Sequence, residues 1–359
     1  YVREEQPDAV MIAGDIYDKA VPSAKAVTEF DEFLTELADS GTIILIISGN
    51  HDSAERLDFA SSIMKKQNIY MKGTYGGEAM KVTMQDKWGD VNFYLMPFVK
   101  PANVKNTLSD LPEEPEKESA ALTYTEAMQQ AVSAMQVDPG KRNVLIAHQN
   151  VTNSGVNRRS DSETISIGGL DNIDRTVFDI FDYVALGHIH SPQNVGSEHI
   201  RYCGTPLKYS FSEAGQQKSV TVVELLEKGN LKIREIPLKP LRDMRKLKGT
   251  YMDITSLSGY QDTNTEDYVQ ITLTDEEDIV DGMQKLRTIY PNLMRLEYDN
   301  RRTRENQEIA GTETVKRKSE LEYFEEFFEL QNNQPMNEEQ RKYSEDLIRK
   351  IQENILSNR

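Results

Sequence analysis

Residues 8–14 read Asp-Ala-Val-Met-Ile-Ala-Gly, a short apolar run closed by glycine. That is the pattern of a strand buried on both faces. Ser23 can then cap a helix in which Val27, Phe30, Leu34 and Leu37 recur at helical spacing, and Gly41 can end it. Residues 42–48 form a second apolar run. A strand, helix, strand order predicts a largely parallel sheet covered by helices, with chemistry placed just beyond the carboxyl ends of the strands.

The pattern continues with strands expected at 91–98 and 143–148. Between them lies a helix striped by Leu122, Met128, Val132 and Met135 and stopped by Pro139-Gly140, after an acidic, proline-bearing connector at 108–118. Residues 182–186, 200–203, 220–226 and 231–236 extend the strand pattern, the later ones crowded enough for antiparallel pairing, so two sheets are expected. At 237–240 the character changes, with proline followed by Lys239, Arg242, Arg245, Lys246 and Lys248. Beyond it, 268–274 alternates like a strand, 275–290 carries Ile279, Met283 and Leu286 at helical spacing, and 293–298 reads as another strand. After Arg301, Arg302 and Arg304, Leu321, Phe324, Phe327 and Phe328 mark one amphipathic helix. Residues 332–335 break it, and Tyr343, Leu347, Ile351 and Ile355 mark a second.

The division that follows has a main α/β domain at 1–236, a linker at 237–248, a small β-α-β domain at 249–300, a basic linker at 301–316 and a helical segment at 317–359. Such a helical pair either packs on its own domain or offers aromatic anchors to a partner. The basic stretches read either as solvated faces or as phosphate contacts.

A chain of 359 residues with 38% hydrophobic and 28% charged positions suits two or three soluble domains. Its apolar runs fall far short of the roughly 20 residues of a membrane helix. The formal net charge of −17 opposes diffuse attraction to nucleic acid, so any such contact must be local. A single cysteine, Cys203, fits a reducing compartment such as the cytoplasm. The polar stretch from Tyr1 to Gln6 reads as a helix end running into a strand, which leads us to expect a fragment lacking its first elements.

Four segments carry chemistry, each at or just after an expected strand end: Gly14-Asp15-Ile16-Tyr17-Asp18, Gly49-Asn50-His51-Asp52, Ala147-His148-Gln149 and Gly187-His188-Ile189-His190. Four of the five histidines fall in them. Imidazole, carboxylate and amide donors together suit Mn²⁺, Fe²⁺ or Zn²⁺ better than Ca²⁺. Two such ions roughly 3.5–4 Å apart need a shared anionic ligand, for which Asp15 is the candidate. Asn50, His148, His188 and His190 are the further candidate metal ligands. Two-residue alternation along an extended segment would turn His188 and His190 to the same side. The glycines before Asp15, Asn50 and His188 permit close backbone approach. His51, beside a candidate ligand, is assigned to carry a proton to a leaving alkoxide, with neighbouring Asp52 orienting it. Singly, each segment reads equally well as a turn or a satisfied histidine; in this order at successive strand ends they point to a dinuclear site. Asp18 is a candidate supporting residue, and His199 lies outside the pattern.

These segments resemble the signature of the calcineurin-like metallophosphoesterases. Together with Pro22, Met96-Pro97-Phe98 and the run from Tyr202 to Phe211, they are similar to the SbcD nuclease subunits of bacterial SbcCD-type DNA repair complexes. The resemblance implies a four-layer α/β/β/α sandwich with a β-α-β cap and a C-terminal helical hairpin. It implies two divalent ions, Mn²⁺ first, hydrolysis of DNA at double-strand ends and hairpins, and an SbcC-type ATPase partner gripped by the C-terminal helices. A homodimer within a heterotetramer, associated with the nucleoid, also follows from it. By the same resemblance Asp15 bridges the metals, Asn50, His148, His188 and His190 ligate, and His51 serves catalysis. The family's Asp-x-His motif does not precede Asp15, so nuclease activity is expected of the parent protein, and the fragment expressed as given is expected to be inactive or poorly folded. Other readings are a phosphodiesterase or phosphatase of the same superfamily, and a noncatalytic scaffold for the ATPase partner.

Overall fold

The computed structural model describes residues 1–108, 122–153, 160–161, 171–301, 303, 321, 323–325, 328 and 335–357, with only the helical backbone at 106–108 and 349–357. Most of the acidic connector, most of the basic linker, including Arg302 and Arg304, and Phe327 lie outside the described residues.

After a short helix α1 (Val2–Glu5), strands β1 (Ala9–Ala13), β2 (Ile43–Ile47) and β3 (Ile69–Lys72) form a parallel sheet in that order. Helix α2 (Ala24–Asp39) makes the crossover from β1 to β2. It begins where Ser23 Oγ accepts from the Ala26 N–H at 3.2 Å, and Gly41 at φ 78° turns the chain out of it. Two single-turn helices, α3 (Ala54–Leu57) and α4 (Ser61–Met64), lead from β2 to β3.

The second sheet collects β4 (Met80–Asp86), β5 (Gly89–Met96), β6 (Arg142–His148), β9 (Tyr183–Gly187), β10 (Gln193–Val195) and β11 (Ser197–Tyr202), in the order β10-β11-β9-β6-β5-β4. Its four middle strands are parallel and its two edges antiparallel. Helices α5 (Pro101–Leu108) and α6 (Tyr124–Ala134) connect β5 to β6. Thr123 and Glu126 close a reciprocal capping box at the start of α6. A two-residue ladder of β7 (Val151–Thr152) with β8 (Ile173–Asp174), and an antiparallel hairpin of β12 (Ser219–Leu225) with β13 (Leu231–Pro237), complete this part.

Side-chain alternation builds four layers from these elements. Along β2, Leu45 and Ile47 face the second sheet, meeting Phe93 and Leu95 of β5 and Val144 and Ile146 of β6. Ile44 and Ile46 face the other way, onto Leu34 and Leu37 of α2. Likewise Tyr94 and Met96, with Leu145 and Ala147, pack under Met128 and Val132 of α6. The order is helix, sheet, sheet, helix, as expected. Each fully buried Ile or Leu contributes about 1.5–3 kcal/mol relative to exposure, so the facing strands hold the two sheets in one register.

The smaller unit is also all parallel: β14 (Met244–Gly249), β15 (Tyr268–Leu273) and β16 (Leu293–Tyr298), over a core of Val269, Ile271, Leu273, Leu286, Tyr290 and Leu293. Two expectations change here. Residues 244–248, read as part of a linker, belong with Gly249 to an edge strand. Their basic side chains disguised it, yet Arg245 pairs with Asp267 at 2.7 Å and Lys248 with Asp299 at 2.5 Å, so those charges hold the unit together. The helix expected over 275–290 is only α9 (Gly282–Arg287), because Asp281 at φ 55° breaks the helical run before it. Two short helices, α7 (Tyr251–Thr255) and α8 (Leu257–Tyr260), lie between β14 and β15. Lys208 meets Asp243 at 2.8 Å where the chain enters this unit.

The last helix is α10 (Glu338–Ser357). With the helical residues Phe324 and Phe328 it lines an apolar groove through Met336, Tyr343, Leu347 and Ile348, and Arg341 pairs with Glu325 at 2.5 Å. Among the described residues no helix is long and apolar enough to cross a membrane.

Candidate metal centre

The carboxyl ends of β1, β2, β6 and β9 meet where the two sheets face each other, because β1 pairs with β2, and β6 with β9 through His148 opposite Gly187. Asp15 follows β1, Asn50 to Asp52 follow β2, His148 ends β6 and His188 follows β9. The backbone is strained there: Asp15 has φ 50° and His188 φ 100°, a region that costs a non-glycine residue about 1–3 kcal/mol.

His148 is the centre of the arrangement. It is 1% exposed, and its Nδ1 lies 2.7 Å from the carbonyl of Ala13. A carbonyl only accepts, so Nδ1 carries a proton, and Nε2 is left to face the other groups of the site, either through its lone pair or through a second proton. That nitrogen lies 3.0 Å from Asn50 Oδ1 and 3.2 Å from Asp15 Oδ2. Asn50 Oδ1 is also 3.0 Å from His188 Nδ1, and the two imidazoles stand edge to face with centroids 5.4 Å apart. Three acceptors turned on one another repel unless a proton or a cation lies among them.

Their spacing suits a cation. Donors held at about 2.1 Å around one ion lie about 3 Å apart when they subtend a right angle. Among the described residues no group of three or more His, Cys, Asp and Glu side chains is by itself arranged to hold a metal; the amide of Asn50 is the piece that joins Asp15, His148 and His188. Close approach is built into the backbone. A Cβ on Gly14, itself at φ 85°, would come 2.5 Å from His148 Nδ1, and one on Gly187 would come 2.7 Å from the same atom. Burial pushes the Asp15 carboxyl up, but the hydrogen bond and charge of a protonated His148, with the N–H of His51, outweigh it and hold the group below the ordinary carboxylate range; a cation in place of that proton acts in the same direction. Carboxylate, amide and two imidazoles fit Mn²⁺, Fe²⁺ or Zn²⁺.

His51 and Asp52 part company. The His51 N–H donates to Asp15 Oδ1 at 2.9 Å, and its ring Nδ1 lies 2.9 Å from the carbonyl of Asp18. The orienting role expected of Asp52 is not the one its contacts describe. Its carboxylate accepts from the N–H groups of Ile16 at 3.1 Å, Tyr17 at 3.0 Å and Gly49 at 2.8 Å, tying the loop after β1 to the loop after β2. Asp18 acts through its main chain, which a reading of side-chain types does not reveal.

His190 reaches other neighbours. Its Nδ1 is 3.8 Å from Glu213 Oε1, and its ring packs edge-on to Tyr209 with centroids 5.8 Å apart. Alternation does not set its direction, because β9 ends at Gly187 and the φ of His188 interrupts the extended run. Glu213 and Lys218 were not legible as site neighbours, since a polar loop such as 212–218 reads as solvated.

Comparison with known proteins gives the family. Residues 1–192 match the family model of the calcineurin-like phosphoesterases. Residues 240–332 match the SbcD C-terminal model, described as the Type 5 capsule protein repressor C-terminal domain. Among curated relatives, the SbcD subunit of the nuclease SbcCD from Staphylococcus epidermidis (strain ATCC 12228 / FDA PCI 1200) is 33% identical over 300 residues, covering 82% of this chain and 76% of that protein. The chain belongs to the SbcD family of calcineurin-like phosphoesterases.

Proposed function

We propose that this chain is the nuclease subunit of an SbcCD-type DNA repair complex, hydrolysing DNA phosphodiester bonds at double-strand ends and in hairpins. The observation that carries the proposal is the convergence of Asp15, Asn50, His148 and His188 at four strand ends, with His148 Nε2 3.0 Å from Asn50 Oδ1 and 3.2 Å from Asp15 Oδ2. In this reading Asp15, Asn50, His148, His188 and His190 hold two divalent ions, Mn²⁺ foremost. Asp15 would be the ligand shared between them, a reading its two oxygens support by facing different neighbours, the His51 N–H and the His148 ring. When bound, such ions polarise a phosphodiester and make water acidic enough to attack it.

The protein's own groups do the rest. The carbonyl of Asp18 fixes His51 with its proton on Nδ1, so that Nε2 is the nitrogen able to take a second proton and hand it to the leaving 3′ or 5′ oxygen. Asp52 keeps the loops carrying Asp15 and Asn50 at a fixed distance. The apolar groove of the C-terminal helices, with Tyr343 71% and Phe324 44% exposed, supports docking of a helical SbcC-type ATPase partner. Phe59 and Ile63, 81% and 68% exposed just after the His51 loop, support pairing of two copies within the assembly. The single half-buried cysteine accords with a reducing compartment such as the cytoplasm.

The test compares end-labelled duplex and hairpin DNA with cyclic nucleotides and phosphopeptides, in Mn²⁺ with and without the ATPase partner. Mn²⁺-dependent DNA cleavage is expected of the full-length protein. Hydrolysis of cyclic nucleotides or phosphopeptides with no DNA cleavage would replace this reading with another phosphoesterase activity.

A further inference from the structure

Beside the candidate centre lies a buried ion pair that the proposed chemistry does not use. The Glu213 side chain is 0% exposed and that of Lys218 4%, with Nζ 2.6 Å from Glu213 Oε2 in a contact of charge rather than an aligned hydrogen bond. Replacing a buried pair by apolar residues of similar volume is often neutral or stabilising, so stability alone gives no reason for this one. Its placement does. Glu213 Oε1 faces the ring of His190 at 3.8 Å, while Lys218 Nζ donates to the carbonyl of the same residue at 2.9 Å. One ion pair therefore meets His190 twice, by a hydrogen bond at the main chain and, at the ring, by the nearby charge of the carboxylate beyond hydrogen-bond length. Lys218 is itself fixed by Thr205 Oγ1 at 3.1 Å and Gln216 Oε1 at 3.0 Å, and Thr205 N–H donates to the His190 carbonyl at 3.1 Å.

We propose that Glu213 is a positioning residue for His190, its carboxylate keeping the ring proton on Nδ1 so that Nε2 bears the lone pair, and Lys218 holding that carboxylate in place. The proposal rests on reading His190 as a metal ligand and names what prepares it. Metal-binding histidines generally present their second ring nitrogen to a carboxylate or carbonyl, and losing that partner costs about 10–100-fold in metal affinity. His148 obtains the same service from the carbonyl of Ala13; His190, beyond the strand end, needs a side chain to supply it.

The test uses the full chain. Glu213→Gln combined with Lys218→Met leaves no unpaired buried charge, and circular dichroism and Tm check that the fold is kept. Mn²⁺ affinity, measured by calorimetry with the metal alone, is expected to fall about 10–100-fold. In a His190→Ala background the same pair of changes is expected to cost nothing further. Equal losses in both backgrounds, or none in either, would overturn the proposal. Nitrogen NMR of the His190 ring without metal supplies an independent reading, and Glu213→Asp serves there should the double variant not fold. The Nδ1–H tautomer is expected in the parent protein, with its population reduced in either variant. A parent protein that binds no Mn²⁺ yet shows this dependence would remove the metal reading and leave the positioning intact. A tautomer indifferent to residue 213 would remove the positioning.

Discussion

The ring of His51 is held by the main chain of Asp18, with Nδ1 2.9 Å from the carbonyl oxygen. No neighbouring carboxylate is needed to orient the ring. If His51 delivers a proton to the departing oxygen, His51→Ala should lower kcat on DNA by about 10²–10⁴, the usual worth of a general acid. On a phosphodiester with a p-nitrophenolate leaving group, which departs unprotonated, the loss should be much smaller. Equal losses on both substrates would show that His51 does not protonate the leaving group.

Asp52 has a different task and a different signature. Its two oxygens serve three backbone N–H groups, of which that of Tyr17 goes to Oδ1 and those of Ile16 and Gly49 to Oδ2. Asn in its place offers one acceptor and turns an NH₂ toward at least one of these donors. Asp52→Asn should therefore cost about 1–3 kcal/mol of stability in urea denaturation, the desolvation penalty of an unsatisfied buried donor. The shape of the pH–rate profile should not change. A stable variant with an altered profile would return Asp52 to the role of orienting His51.

The contrast between these two residues marks how much of the molecule was legible beforehand. Val10, Leu34, Leu45 and Ile146 announced their elements because burial on a strand or a helix face leaves a period in the sequence. The four chemistry-bearing segments were legible because glycine, asparagine and histidine cluster where strands end. The edge strand at 244–249 was hidden, since Arg245 and Lys248 pair with acids at the ends of neighbouring strands and, with Lys246, look like a linker. The carbonyls of Ala13 and Asp18 were hidden too, because main-chain atoms carry no residue-type signal. Glu213 and Lys218 were hidden because a polar loop buried by tertiary packing has the composition of an exposed one.

Acid should loosen the second sheet at its β4 edge. A hydrogen bond from Arg142, itself 3% exposed, holds the Asp86 carboxyl below its ordinary value, and one from Lys141 does the same for Asp90. A carboxyl depressed in the folded state contributes stability fully present above its unfolded pKa of about 4, and lost as pH falls through the folded value. The urea midpoint should hold steady near neutrality and fall below about pH 4. Asp86→Asn should lower the midpoint at pH 7 and make the acid-induced fall shallower. An unchanged slope in that variant would assign the acid sensitivity to other carboxyls.

The exposed apolar residues beside the site make a separate prediction. Phe59 and Ile63 lie four positions apart in the segment that leaves the His51 loop, at 81% and 68% exposure, and Phe33 of α2 is 52% exposed. Side chains of this size gain about 1.5–3 kcal/mol each on full burial, enough together to favour association of two copies. A glutamate at either position sets like charges against each other across a two-fold interface, where each residue meets the same patch of its partner. Phe59→Glu combined with Ile63→Glu should therefore convert a dimer to a monomer by size-exclusion chromatography with light scattering. Cleavage of duplex ends should drop if both copies share the DNA, whereas hydrolysis of a small phosphodiester, which needs one site only, should persist. A variant that remains dimeric would move the interface elsewhere, and loss of the small-substrate activity would show that these residues support the site itself.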